Sequence, residues 1–407
     1  MSSDFLPKPG GIAEVLDGLV RSTIDTLSWQ VYTSVHRETF DDEALPYAVT
    51  RLEVKNPGER RGDQVIVFRK VNSLVGHLQA SRRARSTIDD VRRTFRPDLV
   101  LFGCWDHAAS YWSEACRNAK LPYAYLAHGM EVGSPRGLVM RRRRTEDLQR
   151  AGAVIANSTA TASDVLAIGV EKNRVVVINP GVCSTPVDPI SPEESLGIYR
   201  SVGIGDAPFI LAVGRFIRRK GFDLVISAFC ALAGEFPSLH LVIAGEGPER
   251  SNLASQARAS GLGGRIHLSA YVMGRRKTAL LQGCEFVVSA NREVPGEMEG
   301  FGLVFREAAF FGKASIGGRN GGVPEAVIDG KTGLLVDTSD GFGPLAIAMR
   351  SLLSSPEKAR DLGSRGRSFV REGGMWEHAA VRYRVVFDAL VKGRAGIPEG
   401  DLMPIVQ

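Results

Sequence analysis

Short apolar runs alternate with helical stretches along nearly the whole of this 407-residue chain. In the second half, for example, the runs 209–214 and 240–244 are each followed by residues whose apolar members recur at helical spacing. When strands and helices alternate, each helix returns the chain to the same edge of the sheet, so the strands pair in parallel. The pattern therefore predicts an α/β protein with two doubly wound parallel sheets.

The individual predictions follow this alternation. The predicted strands are 30–36, 47–54, 98–104, 123–128, 153–157, 175–179, 209–214, 240–244, 266–270, 286–290, 314–317 and 333–336. The predicted helices include 71–95, 107–119, 222–234, 248–259, 301–311 and 344–353. A chain of this length forms two domains of ordinary size, each with its own core.

A segment of low apolar content divides the chain. Residues 183–192 contain Pro186 and Pro189, and we predict that they form a linker. Residues 1–182 are then an N-terminal domain and residues 193–375 a C-terminal domain. Residues 376–407 are predicted to form a helix, which returns to the N-terminal domain, and a tail.

One expected element is missing at the N-terminus. A doubly wound domain opens with an apolar strand at the centre of its sheet, ahead of the first glycine-rich turn, here Gly10-Gly11. The residues before that turn are too few and too polar for such a strand. We therefore expect the natural start to lie upstream of Met1; the alternative is that residues 2–6 supply a stub of strand.

Charge and composition bear on partners and location. The net charge is +6, and arginines cluster at residues 82–85 and 141–144. These clusters indicate either solvated helix faces or contact with anionic lipid head groups or a phosphorylated acceptor. No nucleic-acid-binding module is recognised, so nucleic acid is not an expected partner. Apolar runs too short to span a bilayer, no secretory signal and five scattered cysteines favour the cytoplasm, with peripheral contact at the inner membrane face as an alternative.

The densest set of candidate binding residues begins at Glu299-Gly-Phe-Gly-Leu. Gly300 and Gly302 are expected to open a helix that carries Glu307, and helix N-terminal amides favour phosphate. Eight helical positions span roughly 12 Å, which matches the reach from a sugar across a diphosphate to a ribose. One carboxylate is then placed to accept hydrogen bonds from sugar hydroxyls and the other from ribose hydroxyls. The alternative is that Glu299 caps the helix and Glu307 is a surface residue.

Two cations are expected in the crevice above the second sheet. Gly214 and Arg215 end the strand 209–214, and Lys220 follows five residues after Arg215. Fixed cations there stabilise the charge on a leaving nucleoside diphosphate. Since no Asp-x-Asp accompanies them, we expect Arg215 and Lys220 to act in place of a metal ion, with no cofactor. Gly245 and Gly247 end the next strand, either as donor contacts or as an ordinary turn.

The first half contributes two candidates. Gly11 opens a helix, but the full Gly-x-Gly-x-x-Gly pattern of a dinucleotide site is missing. Its amide is still placed to approach a phosphate. His128 ends the strand 123–128 and precedes Gly129-Met-Glu131, so we expect it to face the crevice. The alternative for His128 is a buried histidine with a structural role.

Six motifs occur together in the order and spacing of one known family. They are Gly-Gly-Ile-Ala, His-Gly-x-Glu, Pro180-Gly181-Val182, Gly-Arg-x5-Gly, Gly-Glu-Gly-Pro and Glu-Gly-Phe-Gly-x4-Glu-Ala. From residue 9 to about residue 388, the chain resembles the retaining glycosyltransferases of family 4, whose GT-B fold has two facing Rossmann-like domains. Residues 128–134 and 295–325 look most like the phosphatidylinositol mannosyltransferase and hexosyltransferase branch.

The resemblance implies a role for each candidate. Arg215 and Lys220 would bind the donor diphosphate, Glu299 the transferred sugar and Glu307 the ribose, with His128 beside the sugar's 6-position. The remaining donor contacts would be Gly11, Gly214, Gly245, Gly247, Phe301, Gly302 and Leu303. Transfer would retain the anomeric configuration without an enzyme nucleophile, and the leaving phosphate would help to deprotonate the acceptor.

The resulting hypothesis is transfer of a hexose from a nucleotide-diphosphate sugar to an acceptor hydroxyl, in glycolipid, polysaccharide or glycoside biosynthesis. GDP-mannose is the first candidate donor, ahead of UDP-glucose or another UDP-sugar. A lipid-linked acceptor is one candidate, and the sequence does not identify it. Two alternatives stay open: a nucleotide-sugar epimerase on the same fold, and a non-catalytic nucleotide-binding homologue.

Overall fold

The computed structural model describes residues 1–2, 5–7, 10–35, 40–52, 66–129, 137–182 and 190–393, with side chains 66–75 outside the description. Most of the predicted linker, Glu131 of the His-Gly-x-Glu motif and the tail after residue 393 therefore lie outside the described residues. The described chain folds into two compact units. Unit 1 comprises residues 1–179 and 379–393, and unit 2 comprises residues 180–378.

Unit 1 contains two groups of parallel strands. Its strands are β1 Gln30–Ser34, β2 Ala48–Leu52, β3 Val100–Phe102, β4 Tyr123–Ala127, β5 Ala153–Ala156 and β6 Val175–Val177. Its helices are α1 Gly11–Thr23, α2 Ile66–Thr94, α3 His107–Asn118, α4 Leu138–Gln149 and α5 Thr159–Ala167. β1 pairs with β2, while β3, β4, β5 and β6 form a four-stranded sheet in that order.

Met1 and Ser2 lie between these two groups of strands. The Ser2 amide donates to the carbonyl of Tyr32 on β1 at 3.0 Å, and the Gly103 amide, just after β3, donates to the Met1 carbonyl at 2.9 Å. Among the described residues, Met1 and Ser2 supply a short stub beside β1, with one parallel bridge between Ser2 and Thr33. The expectation of a missing or truncated first strand stays a prediction.

Unit 2 contains one fully parallel, six-stranded sheet in the order β12-β11-β10-β7-β8-β9. Its strands are β7 Phe209–Val213, β8 His240–Ala244, β9 Ile266–Ser269, β10 Val287–Ser289, β11 Ser315–Gly318 and β12 Leu334–Val336. The remaining helices are α6 Pro192–Ser201, α7 Phe222–Leu232, α8 Arg250–Ala259, α9 Gly274–Gly283, α10 Leu303–Phe310, α11 Val323–Ala326, α12 Gly343–Leu353, α13 Pro356–Gly373 and α14 Trp376–Val391. This order confirms the doubly wound α/β fold.

The central strand β7 shows why the sheet is buried on both faces. Its sequence, Phe-Ile-Leu-Ala-Val, is apolar throughout, as parallel strands between two helical layers require. Ile210 packs in one core with Phe229 of α7, and Leu211 packs in the other with Phe305 of α10. Side chains that alternate along one strand thus build two cores, and the loops at the strand ends stay accessible.

The final helix, α14, begins in unit 2 and belongs to unit 1 from residue 379 on. Arg382 donates to the carbonyl of Val177 at 2.8 Å, and the ring of Phe387 packs edge-on against Trp29. This is the arrangement that a helix returning to the N-terminal domain requires. No helix in the described ranges is both long enough and apolar enough to cross a bilayer.

Candidate active site

The loop after β7 brings cations to the carboxyl edge of the unit 2 sheet. It contains the short 3-10 helix Arg218–Lys220 and ends at Gly221. Gly221 has a φ of 63°, and a Cβ atom there would lie 2.0 Å from the carbonyl oxygen of Ala290. Only glycine allows this approach. Since Ser289 also donates its hydroxyl to the Lys220 carbonyl at 3.1 Å, Lys220 is held beside the end of β10.

Glu299 is the central acceptor of the site. Its Oε2 atom lies 2.7 Å from Nζ of Lys220 and 3.7 Å from Nε of Arg219. The side-chain amide of Asn291 donates to the same oxygen at 2.9 Å. The Glu299 side chain is only 9% exposed. A buried carboxylate is thus surrounded by two cations and an amide.

The charge state of Glu299 follows from these neighbours. Burial alone would raise the pKa of its carboxyl, but the charges of Lys220 and Arg219 outweigh burial and hold the pKa below its ordinary value. Glu299 is therefore an anion at neutral pH. It accepts hydrogen bonds from hydroxyl groups and has no proton to donate as a general acid.

The backbone around Glu299 is held by the loop that follows β11. The Glu299 amide donates to Oδ1 of Asn320 at 3.2 Å, and its carbonyl accepts from the Gly322 amide at 2.8 Å. Gly321 has a φ of 55°, and a Cβ atom there would lie 2.1 Å from the Glu299 carbonyl oxygen. The carboxylate is therefore positioned by backbone contacts as well as by its ionic partners.

Helix α10 begins two residues later than the sequence predicted. Gly302 is its N-cap, with a left-handed φ of 93°, and the helix runs from Leu303 to Phe310. Phe301 therefore lies in the preceding loop. The separation of roughly 12 Å for Glu299 and Glu307 assumed one continuous helix, and Glu299 lies outside the helix that carries Glu307. The amides of Gly302 and Leu303 still stand at the helix N-terminus, where amides lack intrahelical acceptors.

Glu307 has its own ionic partner. Lys277 on α9 donates Nζ to Oε1 of Glu307 at 2.6 Å, and these side chains are 12% and 20% exposed respectively. The contact joins α9 to α10. Glu307 is thus a partly buried member of an ion pair on the helix, and its role in binding the donor stays a prediction.

The other predicted donor residues of unit 2 lie at the ends of β7 and β8. Arg215 is exposed directly after Gly214. A Cβ atom at Gly245 would lie 1.9 Å from the Gly214 carbonyl oxygen, and one at Gly247 would lie 2.5 Å from the Phe216 carbonyl oxygen. Close packing of the two loops therefore explains both glycines without a ligand, which agrees with the alternative that they form an ordinary turn.

The two candidates of the first half both lie in unit 1. Gly11 is the exposed first residue of α1 and follows the N-cap Gly10. His128 follows β4, and its Nε2 lies 2.9 Å from the carbonyl oxygen of Gly103. Because a carbonyl oxygen only accepts, a neutral His128 ring donates to it from Nε2, and its Nδ1 is then the acceptor nitrogen. The roles proposed for Gly11 and His128 stay predictions.

Several site residues were not among the sequence predictions. Asn291 and Asn320 each come shortly after a strand of the sheet, so the rule that found Arg215 also applies to them. Arg219 directly precedes Lys220. Lys277 carries no comparable signal, since it lies inside a helix and meets Glu307 only through the packing of α9 against α10.

Two family models match the chain, one after the other. Glycosyltransferase Family 4 matches residues 38–184, and Glycosyl transferases group 1 matches residues 199–369. The first match falls almost wholly in unit 1, and the second falls in unit 2, where it includes Lys220, Glu299 and Glu307.

Individual proteins extend this likeness. A GDP-mannose-dependent alpha-(1-6)-phosphatidylinositol monomannoside mannosyltransferase of Mycolicibacterium smegmatis is 26% identical over 94% of this chain and 96% of its own length. Alpha-maltose-1-phosphate synthase of the same organism is 30% identical over 57% of this chain and 62% of its own. The crystal structure of Anabaena HepE with UDP and glucose has the same fold, with a TM-score of 0.74, 18% identity and coverage of 95% and 98%. With one family model on each unit and end-to-end similarity to a mannosyltransferase, this chain belongs to the family 4 glycosyltransferases and has the GT-B fold.

Proposed function

We propose that this glycosyltransferase moves a hexose from a nucleotide-diphosphate sugar to an acceptor hydroxyl, with retention and without a metal ion. GDP-mannose is the proposed donor, because the relative that is similar over 94% of the chain is named for it. The observation that carries the proposal is the contact of 2.7 Å between Lys220 and the buried Glu299, with Arg219 beside it.

Lys220 and Glu299 neutralise each other when the donor is absent. A diphosphate carries more negative charge than one carboxylate, so the bound donor draws the Lys220 ammonium towards its phosphates. Glu299 is then released to accept hydrogen bonds from the sugar. Arg219, Asn291 and the backbone contacts hold the carboxylate in place during this exchange.

The proposed chemistry depends on cations that stabilise the leaving phosphate, and it does not need a general acid. As the bond between the anomeric carbon and the phosphate oxygen breaks, negative charge grows on that oxygen. Lys220 and Arg215 stabilise this charge more strongly in the transition state than in the bound donor. The departing phosphate oxygen takes the proton of the acceptor hydroxyl on the same face, and the new glycosidic bond retains the anomeric configuration.

Glu307 is proposed to bind the ribose of the donor. Its carboxylate is a charged acceptor at the second turn of α10, close in sequence to the N-terminal amides proposed for the phosphates. Lys277 holds the carboxylate at 2.6 Å and so restricts its orientation before the donor arrives. A positioned acceptor loses less side-chain entropy on binding.

A panel of donors tests this proposal. We expect GDP-mannose and GDP to raise the melting temperature of the enzyme, with or without EDTA. UDP-glucose and UDP are the competing ligands, because the structurally similar HepE was crystallised with UDP and glucose. Stabilisation by the uridine ligands alone would overturn the choice of GDP-mannose, and no stabilisation by any of the four would overturn the proposed donor site.

The proposed acceptor is lipid-linked. The enzyme is proposed to lie in the cytoplasm and to act at the inner face of the membrane. Helix α4 begins with Leu138 and Val139, which are 84% and 72% exposed, and the exposed Arg141 and Arg142 follow. Apolar side chains next to arginines favour the interface of an anionic membrane. Arg144 of the same cluster is buried and does not contribute to this surface.

Vesicle co-sedimentation tests the membrane contact. We expect binding to phosphatidylglycerol vesicles to exceed binding to phosphatidylcholine vesicles. The double variant Leu138→Ser, Val139→Ser should lose most of it, while Leu166→Ser on α5, which is 39% exposed, serves as the matched control. Equal binding of wild type and double variant would contradict this surface.

A further inference from the structure

A buried cation, Arg306, lies on α10 directly before Glu307 and is only 3% exposed. Burial lowers the pKa of its guanidinium to about 10, and the charge of Glu325 offsets this effect only in part. Its Nε atom has no hydrogen-bond partner among the described residues. A charge buried with so little compensation is costly for the fold, so packing alone does not account for an arginine at this position.

The guanidinium contacts two aromatic rings. Its central carbon lies 5.3 Å from the ring centroid of Phe301 and 4.5 Å from that of Phe369 on α13. Both distances are within the range of a cation–π contact, and a planar guanidinium keeps its N–H groups available beside such contacts. Phe301 is 2% exposed and belongs to the loop that begins at Glu299. Arg306 therefore holds this loop from the protein interior.

A third contact of Arg306 reaches the segment after β11. Its Nη2 atom donates to the carbonyl oxygen of Glu325 at 2.7 Å. Glu325 lies on α11, which directly follows Gly322. The Gly322 amide in turn donates to the Glu299 carbonyl at 2.8 Å. One side chain thus joins the two segments that position Glu299, its own loop and the loop after β11.

Gly374 leaves the space that the guanidinium occupies. A Cβ atom there would lie 2.7 Å from Nη1 of Arg306, while the nearest atoms of Val370 would lie 3.0 Å away or farther. The φ of Gly374 is −104°, so its backbone conformation does not itself require glycine. Its carbonyl accepts from the Val182 amide at 2.9 Å, which holds the backbone in place. A side chain at this position would therefore displace the guanidinium.

We propose that Arg306 is a positioning residue for the donor site, which joins the loop 299–302 to the loop after β11 and so sets the place of the Glu299 carboxylate. Arg306 is buried and acts through the ring of Phe301 and the carbonyl of Glu325. An apolar side chain would fill the same space without the cost of a buried charge, but it would lose all three contacts. The expected effect on catalysis rests on the proposed function, whereas the expected effect on the two loops does not.

Arg306→Met tests this role. We expect kcat/KM with GDP-mannose to fall by ~10-fold to 100-fold, because small displacements of site groups are costly. The Kd of GDP, which lacks the sugar that Glu299 is proposed to bind, should stay within about threefold of wild type. The melting temperature should stay within about 3 °C, since removal of the buried charge offsets the lost hydrogen bond.

Arg367→Met is the matched control. Arg367 lies on α13 and donates to the carbonyls of Phe310 and Phe311 at the other end of α10, at 3.2 and 3.1 Å. This substitution also removes an arginine that bonds to backbone carbonyls, but at a distance from the Glu299 loop in the sequence of contacts described above. It should leave the kinetics and the Kd of GDP unchanged.

Hydrogen exchange gives a measurement that needs no donor. Exchange at the Gly322 amide should be ~10-fold faster in Arg306→Met than in wild type, because the two loops are no longer joined. If wild type bound neither GDP nor GDP-mannose, the proposed function would fail, and this exchange would still test Arg306. Wild-type kinetics and exchange in the variant would overturn the proposal. Equal losses for GDP and GDP-mannose with a large fall in melting temperature would indicate a structural role only, and would overturn it too.

Gly374→Ala reaches Arg306 without replacing it, and it keeps the proposal testable if Arg306→Met does not fold. The new methyl group should displace the guanidinium and lower kcat/KM by ~3-fold to 10-fold. In the Arg306→Met background, the same substitution should cause no further loss, because Nη1 is no longer there to be displaced. Wild-type kinetics and exchange in Gly374→Ala, or fully additive effects in the double variant, would overturn the role of Arg306.

Discussion

Two lysine–glutamate pairs lie among the proposed donor-binding residues, and their surroundings differ. Lys220 and Glu299 are 2.7 Å apart, and Lys277 and Glu307 are 2.6 Å apart. Glu299 is 9% exposed and also has Arg219 and Asn291 as neighbours, whereas Glu307 is 20% exposed and pairs with Lys277. Nearly equal distances therefore conceal different surroundings.

The difference concerns how firmly charge is held in place. The Glu299 network joins the ends of β7 and β10 to the loop after β11, so the Glu299 carboxylate and the Lys220 backbone are held in place before any ligand binds. Charge that is fixed in advance stabilises a transition state without reorganisation. The Lys277–Glu307 pair joins two helices, which suits recognition of the bound donor. We therefore expect the first pair to affect turnover and the second to affect donor affinity.

Removal of the Lys220 ammonium is expected to have the largest effect. Lys220→Ala should lower kcat by ~10²–10³, because the charge on the leaving diphosphate is no longer stabilised. Arg215→Ala should act in the same direction, at the low end of that range, since its side chain is exposed. Steady-state kinetics with the exposed Lys331→Ala as control checks this. A kcat within about threefold of wild type would remove Lys220 from the mechanism.

Glu299→Gln tests whether the buried network supports activity and stability through the same charge. The variant should lower kcat/KM by ~10-fold to 100-fold, as expected for a lost charge-assisted hydrogen bond to the sugar. It should also destabilise unit 2 by about 2 kcal/mol, because Lys220 and Arg219 are left without their buried partner.

The double variant Glu299→Gln, Lys220→Met separates these two effects. Removing both charges should recover part of the stability in urea unfolding while activity stays low. Recovery of activity together with stability would show that Glu299 has only a structural role.

Glu307→Gln tests whether the Lys277–Glu307 pair affects donor affinity more than turnover. We expect the donor Kd, measured by calorimetry, to rise by ~10-fold while kcat changes little, since a ribose contact is made equally in the ground and transition states. Lys277→Met should raise the Kd less, because it removes only the group that orients Glu307. A large fall in kcat with KM unchanged would contradict the assignment of Glu307 to the ribose.

The smallest expected effect is that of pH on donor affinity. The pKa of Glu299 lies below its ordinary value in the folded enzyme, so its contribution to stability is complete above about pH 4.3 and is lost as the pH falls below it. Affinity for GDP-mannose should therefore stay nearly constant between about pH 5.5 and pH 8. A loss of affinity in wild type near pH 6 that Glu299→Gln abolishes would show that Glu299 titrates there.

Much of the fold was predictable because its signals are local. The apolar run of β7 and the glycines after it indicate a buried parallel strand and a close-packed loop without reference to any other residue. The same rule, that polar residues at the carboxyl ends of strands face the ligand, identified Arg215 and Lys220. Applied to β10 and β11, it would also have identified Asn291 and Asn320.

The sequence by itself determined the α/β class, the parallel pairing and the four charged residues proposed for the donor, since these depend on local periodicity and on strand ends. Only the tertiary structure decided which charges meet. Lys277 reaches Glu307 because α9 packs against α10, and Arg219 reaches Glu299 because the loops after β7 and β10 converge. Contacts between residues distant in sequence leave no local pattern, because each side chain's partner is set by packing.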